Sequence, residues 1–97
     1  MATYIILVNF TDQGVRTIKD LPQRVAGARR AMEAAGMKMV SWHMTMGLYD
    51  VVVVVEAPND EAVATTLLSI AGQGFVRTTT LKAFTEAQMT KVVAGIS

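Results

Sequence analysis

The sequence has no cysteine and only one histidine, His43. The missing cysteines exclude disulfide bonds and thiolate chemistry, and they are compatible with the expected cytoplasmic location. A dedicated transition-metal site is not expected, because such sites draw on several His or Cys ligands. No cofactor is predicted, although haem bound through His43 is left open.

Charge and long hydrophobic runs are scarce as well. Nine basic and eight acidic residues give a net charge of +1 without a basic run, so nucleic acid is not an expected partner. The five consecutive valines at residues 51–55 are far fewer than the roughly 20 residues of a membrane helix. Residues 1–10 lack a basic start and a cleavage site, and they predict a strand instead of a signal peptide. No membrane partner is expected.

The sequence is rich in apolar side chains. Of its 97 residues, 52% are hydrophobic and only 18% are charged. This length predicts a single domain over residues 1–97. A domain of this size buries only about 60–70% of its unfolded surface. Self-association is the simplest way to cover the surplus, so the sequence predicts a homodimer.

Hydrophobic periodicity predicts the order β-α-β-β-α-β, followed by a short helix. Strands are predicted at residues 3–10, 37–46, 50–57 and 75–84. The first helix follows Asp20 as its cap and ends at Gly36, and the second follows Asn59 as its cap. Thr85-Glu86-Ala87-Gln88 is a capping-box pattern that opens the last helix. The apolar stripe of that helix consists of Met89, Val92, Val93 and Ile96.

The valine block at residues 51–55 constrains the fold most strongly. Five valines in a row leave a strand without a polar face, so both of its faces must be covered. With right-handed crossovers, the predicted order gives a ferredoxin-like α+β fold. Two helices then cover one face of a four-stranded antiparallel sheet, and a second copy covers the other. The result would be a homodimer with a β-lined interior.

The stretch Thr45-Met46-Gly47-Leu48-Tyr49-Asp50 resembles the Gly-x-Tyr-Asp signature of the GYD-domain family. Further matches follow in the order and spacing typical of that family: Thr11-Asp12-Gln13-Gly14, Arg24, Ala35-Gly36, Ala57-Pro58, Val76-Arg77-Thr78 and Thr80-Leu81-Lys82-Ala83-Phe84. The resemblance implies a dimeric α+β barrel of ferredoxin-like units. It implies no established activity, because the family is largely of unknown function.

Gly47 and Leu48 suit a two-residue hairpin loop with glycine in the first central position. In that register His43 lies opposite Val52 and Ser41 lies opposite Val54. Because side chains alternate along a strand, one face of the hairpin then carries the polar set. That set is Ser41, His43, Thr45 and Asp50, which would point into the dimer. The other set is Val40, Trp42, Met44 and Met46, which would face the helices.

His43 and Asp50 are the candidate catalytic residues. His43 is the only side chain with an ordinary pKa near neutrality, and it could act as a general acid or base held by Asp50. The alternatives are a histidine that is hydrogen-bonded within the hairpin and an aspartate that accepts N–H groups of the turn.

The last strand supplies further candidates. If Leu81 and Ala83 face the helices, the row of Thr78, Thr80 and Lys82 lines the dimer interior and could bind an anionic or polar ligand. Gln13 could add an amide to the same cavity, or it could close the turn after strand one. The alternative is that the threonines are ordinary solvated residues of an edge strand. The candidate ligand-binding residues are Asn9, Ser41, Thr45, Thr78, Thr80 and Lys82.

These features together predict a small homodimer that binds a small organic molecule in its β-lined interior or dimer cleft. No nucleophile, metal-ligand set or carboxylate pair indicates an enzyme. Two alternatives stay open. One is a cofactor-independent isomerase or oxygenase that uses His43 for proton transfer. The other is a structural subunit whose terminal helix joins dimers into larger rings.

Overall fold

The computed structural model describes all residues 1–97. Its strands are β1 (Ala2–Phe10), β2 (Lys38–Met44), β3 (Val51–Ala57) and β4 (Val76–Ala83). Its helices are α1 (Asp12–Arg16), α2 (Leu21–Ala34), α3 (Asp60–Ala71) and α4 (Glu86–Ala94), with a 3-10 turn at Ile18–Asp20. None of these helices is long and apolar enough to cross a membrane.

The strands form one antiparallel sheet in the spatial order β2-β3-β1-β4. The connections through α2 and α3 each pass over one intervening strand, and both helices cover the same side. The predicted ferredoxin-like α+β fold with a four-stranded antiparallel sheet is therefore confirmed. We call the covered side of the sheet the helix face and the other side the open face.

The core lies between the helix face and the two helices. Alternate residues of β1 and β3 are buried there, as the alternation of side chains along a strand requires. The buried set is Tyr4, Ile6, Val8, Val51, Val53, Val55 and Ala57 from the sheet, with Met32, Met37, Val63 and Leu67 packed against them. The intervening apolar residues of both central strands point to the open face and are only half-buried.

The segment between β1 and α2 is helical, although the sequence predicts only a turn there. The Thr11 hydroxyl accepts the N–H of Gly14 at 3.1 Å and donates to the carbonyl of Gly74 at 2.6 Å. The backbone N–H of Thr11 also donates to the carbonyl of Phe75 at 3.0 Å. Gly14 is buried so closely that a Cβ there would lie 2.2 Å from the Phe75 carbonyl oxygen. This segment therefore docks on the start of β4.

The predicted helix ends agree with the structure except at Asp20. Asn59 accepts the N–H of Ala62 at 2.8 Å, and Thr85 and Gln88 form the predicted reciprocal capping box. Asp20 occupies the predicted N-cap position of α2, but its side chain makes no capping hydrogen bond. The 3-10 turn brings Asp20 in with helical backbone angles, which do not suit a capping side chain.

A β-bulge in β2 changes which side chains of that strand face the helices. Met39 pairs with Val55 and Ser41 pairs with Val54, so Val40 has no partner on β3. The bulge interrupts the alternation of side chains, and Met39, not Val40, packs against the core together with Trp42. The prediction that Val40 faces the helices is therefore wrong.

Gly14 and Gly27 make a matched pair for testing the docking of α1. We expect Gly14→Ala to lower the free energy of unfolding by about 1–3 kcal/mol, because the new methyl group would collide with the Phe75 carbonyl oxygen. Gly27 lies inside α2, and the nearest atom to a Cβ there is Arg30 Nη2 at 3.8 Å. Gly27→Ala should raise stability by about 0.5–1 kcal/mol. Urea denaturation measures both changes, and equal stability of the two variants would contradict this account.

Candidate functional site

The loop that joins β2 to β3, residues 45–50, is fastened to the end of β1. The carboxylate of Asp50 accepts the backbone N–H of Phe10 at 2.8 Å. The backbone N–H of Asp50 donates to the carbonyl of Val8 at 2.8 Å. The side-chain amide of Asn9 donates to the carbonyl of Leu48 at 2.8 Å. Asp50 and Asn9 thus hold the loop in place by hydrogen bonds to backbone groups.

Thr45 closes the same loop from the β2 side. Its N–H donates to the carbonyl of Asp50 at 2.8 Å, and its hydroxyl donates to the carbonyl of Tyr49 at 2.6 Å. The strand ladder ends at Met44 opposite Val51, so the loop is longer than the predicted two residues. Gly47 has a φ of +135°, a backbone conformation that side-chain-bearing residues rarely adopt.

The predicted pairing of His43 with Val52 and of Ser41 with Val54 is confirmed. The loop is longer than predicted, but it gains equally many residues before and after Gly47 and Leu48, so the register of the strands is the same. Both polar side chains consequently lie on the open face. Neither side chain makes a hydrogen bond within the chain. The chain has one ion pair within 4.0 Å, between Lys82 and Asp60. The Asp50 carboxylate and the His43 ring are therefore more than 4.0 Å apart. The catalytic roles of His43 and Asp50 stay predictions.

The tip of the loop carries large apolar side chains in full contact with solvent. Met46 is 100% exposed and Leu48 is 88% exposed, and Met44 at the end of β2 is 65% exposed. Asp50, Asn9 and Thr45 therefore fix the backbone of a loop whose own apolar side chains have no partner in the chain. Exposed apolar clusters of this kind mark interaction surfaces more often than accidental exposure.

The prediction for β4 is wrong about which residues face the helices. Thr80 pairs with Ile6 and Lys82 pairs with Tyr4, both of which are core residues. Thr78, Thr80 and Lys82 therefore lie on the helix face, away from the proposed dimer interior. The open face of β4 carries Arg77, Thr79, Leu81 and Ala83 instead. Threonine and leucine both suit an edge strand, so composition alone could not decide between the two faces. A ligand-binding role of Thr78, Thr80 and Lys82 stays a prediction.

Lys82 takes part in a polar cluster that the sequence did not reveal. The Tyr4 hydroxyl donates a hydrogen bond to the Asp60 carboxylate. The Lys82 ammonium lies 3.4 Å from the same carboxylate and 6.0 Å from the centre of the Tyr4 ring. The three residues come from β1, α3 and β4, so only the strand order brings them together. The cluster joins the start of α3 to the sheet.

The cluster perturbs two pKa values. The hydrogen bond to Asp60, then burial and the negative charges of Asp60 and Glu61, raise the pKa of Tyr4 from 10.0 to about 12. The hydrogen bonds from Tyr4 and Lys82, and then the Lys82 charge, lower the pKa of Asp60 below its ordinary range. Both shifts favour a neutral phenol beside an ionised carboxylate.

Comparisons with known proteins agree with this architecture. A family model described as GYD domain matches residues 4–93. A Thermus thermophilus protein named glutamine synthetase and cystathionine beta-lyase binding protein is 36% identical over 90 residues, which cover 92% of this chain and 95% of that relative. The crystal structure of an FFRP protein superposes with a TM-score of 0.60 at 17% identity, covering 87% of this chain and 100% of the other. At that identity the similarity supports the ferredoxin-like fold alone.

The pKa of Tyr4 can be measured by an alkaline titration of tyrosinate absorbance in the wild-type protein and in Tyr4→Phe. The difference between the two curves should have its midpoint near pH 12. Because folding raises this pKa, the stability that the hydrogen bond contributes is complete below pH 10 and is lost as the pH rises towards 12. A midpoint near 10 would show that the Tyr4 hydroxyl is not held by Asp60.

Proposed function

The chain belongs to the GYD-domain family, and from that membership and the geometry of the sheet we propose that the protein is a homodimeric binding module. One observation carries the dimer: the centre of the open face is apolar and is covered by no element of its own chain. That centre consists of Ile5, Leu7, Val52, Val54 and Leu81. Two copies packed face to face would remove these side chains from water.

The size of the open face suits a second copy of the chain. Four strands about 4.8 Å apart and about 25 Å long give a face on the order of 500 Å². Two such faces bury about 1,000 Å², which is the lower limit for a specific interface. The margins carry charges of both signs, with Lys38 and Glu56 on one side and Arg77 on the other. Because both signs of charge are present, two copies of this face can pair without general electrostatic repulsion.

We further propose that the dimer binds a partner protein through the tip of the β2–β3 loop. Met46 and Leu48 are the most exposed large apolar side chains of that loop, and the loop backbone is fixed by Asp50 and Asn9. A rigid loop loses little conformational entropy when it binds. The Thermus thermophilus relative is named for binding two enzymes, which supports a protein partner for this chain.

A small organic ligand at the dimer cleft is a second candidate function. It is favoured by two polar side chains that β2 places on the open face, Ser41 and His43, which have no hydrogen-bond partner within the chain. A bound molecule between the two sheets could use both, and His43 could transfer a proton to an enolisable substrate. This proposal needs neither a metal nor a cofactor.

The dimer proposal predicts the effect of Val54→Arg. An arginine at the centre of the paired faces would be buried without a partner charge, which costs about 3–5 kcal/mol. The dimer dissociation constant should therefore rise at least 100-fold. Light scattering over a dilution series measures this, with masses of 10.5 kDa for the monomer and twice that for the dimer.

Leu68→Arg is the matched control for Val54→Arg. Leu68 is 74% exposed on α3, on the other side of the molecule, and its substitution should leave the dissociation constant unchanged. Circular dichroism checks that both variants stay folded. A wild-type protein that stays monomeric at high micromolar concentration would contradict the dimer, as would a Val54→Arg variant that associates normally.

The loop-tip proposal predicts that Met46→Ser/Leu48→Ser reduces binding of a partner enzyme without changing stability. Both side chains are exposed and contact no core residue, so their loss should leave the melting temperature within about 2 °C. The first probe is purified glutamine synthetase from the organism that this chain comes from, and calorimetry measures its binding. Val40→Ser, an exposed residue of the β2 bulge, is the control. Equal binding by the wild-type protein and the double variant would contradict this role of the loop.

A further inference from the structure

The helix face contains an unfilled groove. Between α2, α3 and the sheet lies a space of about 510 Å³ whose lining is 16 of 23 residues hydrophobic. Phe10, Val25, Trp42 and Leu67 are among them. Protein cores contain few voids larger than a water molecule. The side chains of Phe10, Val25 and Trp42 at its margins are only half-buried, so the groove is open to another molecule or segment.

Small residues form part of the side of α2 that borders the groove. Gly27, Ala28 and Ala31 lie there, and a Cβ at Gly27 would meet only Arg30 Nη2 at 3.8 Å. Glycine inside a helix is less stable than alanine at the same position. The helix therefore gives up stability at a position where a larger residue would narrow the groove.

The C-terminal helix α4 has the complementary shape, an unpartnered apolar ridge. None of its residues is buried, and its apolar side chains recur on one side of the helix. The exposed set is Met89, Val92, Val93 and, just beyond the helix, Ile96. A helix of nine residues is marginal in water without a packing partner. α4 therefore needs a surface to pack against, and its own chain supplies none.

The helix and the groove lie towards opposite ends of β4. Val76 lines the groove and pairs with Phe10, whereas Ala83, where β4 ends, pairs with Thr3. The distance between these ends is about 23 Å at 3.3 Å per residue. α4 follows after only two residues, and none of its residues lines the groove. The α4 of one copy therefore lies outside its own groove.

We propose that the groove of one copy binds α4 of a second copy, with Met89, Val92 and Val93 inserted between α2 and α3. This is a helix-in-groove contact made from two surfaces that every copy carries. Reciprocal exchange of an identical element closes the assembly without leaving a free groove or a free helix. The inference does not depend on pairing through the open face, and the two can fail separately.

Disulfide cross-linking tests this contact, because the chain has no cysteine of its own. Ala28→Cys is placed in the groove and Val93→Cys on the ridge of α4. On mixing and mild oxidation the two single variants should form a heterodimer joined by one disulfide. Lys91→Cys, on the opposite side of α4, should cross-link at least ten-fold less. Equal cross-linking by Lys91→Cys and Val93→Cys would overturn the proposal. An Ala28→Cys/Val93→Cys double variant that forms only an intrachain disulfide would also overturn the proposal.

A second measurement separates helix exchange from a small-molecule site in the same groove. Trp42 is the only tryptophan and lines the groove, so its fluorescence reports on the occupant. 8-Anilinonaphthalene-1-sulfonate should bind the wild-type protein weakly. It should bind Val92→Ser/Val93→Ser several-fold more strongly and quench Trp42, since the groove would be vacated. Lys91→Ser should behave like the wild-type protein. Strong binding to the wild-type protein at Trp42 would overturn the proposal and assign the groove to small apolar molecules.

Discussion

A single sheet with two apolar faces and helices on only one of them is the constraint on which the structure depends. The valines of β3 alternate between the two faces from Val51 to Val55, and β1 places Ile5 and Leu7 beside Val54 and Val52 on the open face. The two helices cover Val51, Val53 and Val55, which are buried. The burial of the remaining valines against a second copy is our proposal. It accounts for the high hydrophobic content of a chain whose own core contains few residues.

The residues that give the family its signature have structural roles in this chain. The Asp50 carboxylate accepts a hydrogen bond from the backbone N–H of Phe10 in β1, and Gly47 adopts a φ that favours glycine. Gly14, near the start of the chain, is buried against Phe75 where no side chain fits. These residues hold a loop and a short helix in place and leave apolar side chains exposed around them. Such an arrangement favours binding over chemistry, and a separate residue, His43, would have to supply any proton transfer.

The fold could be predicted from the sequence because its signals are local and mutually consistent. The valine run, the capping residues at Asn59 and Thr85 and the glycine at 36 define the elements, and handedness rules then give the strand order. The pairing of His43 with Val52 followed from a loop that is symmetric about Gly47 and Leu48, even though the loop is longer than predicted. The register of β4 could not be obtained in this way. Its threonines carry no burial signal, and a single shift of parity moves Lys82 to the opposite face.

Three features of the structure depend on contacts that no sequence pattern records. The cluster of Tyr4, Asp60 and Lys82 joins three elements far apart in the chain. The groove beside α2 reflects the spacing of two helices over the sheet. The bulge at Val40 belongs to the same group, because an extra residue in one strand is visible only when the partner strand is aligned with it. All three errors or omissions concern how elements meet, not which elements form.

Distance measurement between spin labels tests the pairing of open faces most directly. A label at Thr79→Cys lies on the open face, and a label at Glu33→Cys lies on α2 behind the helix face. Paired sheets are about 10 Å apart, and each helix layer adds about 10 Å more. Our account predicts a distance below about 30 Å between the two Thr79 labels of a dimer and a clearly longer one between the two Glu33 labels. A shorter distance for Glu33 than for Thr79, or no dipolar coupling at either position, would contradict it.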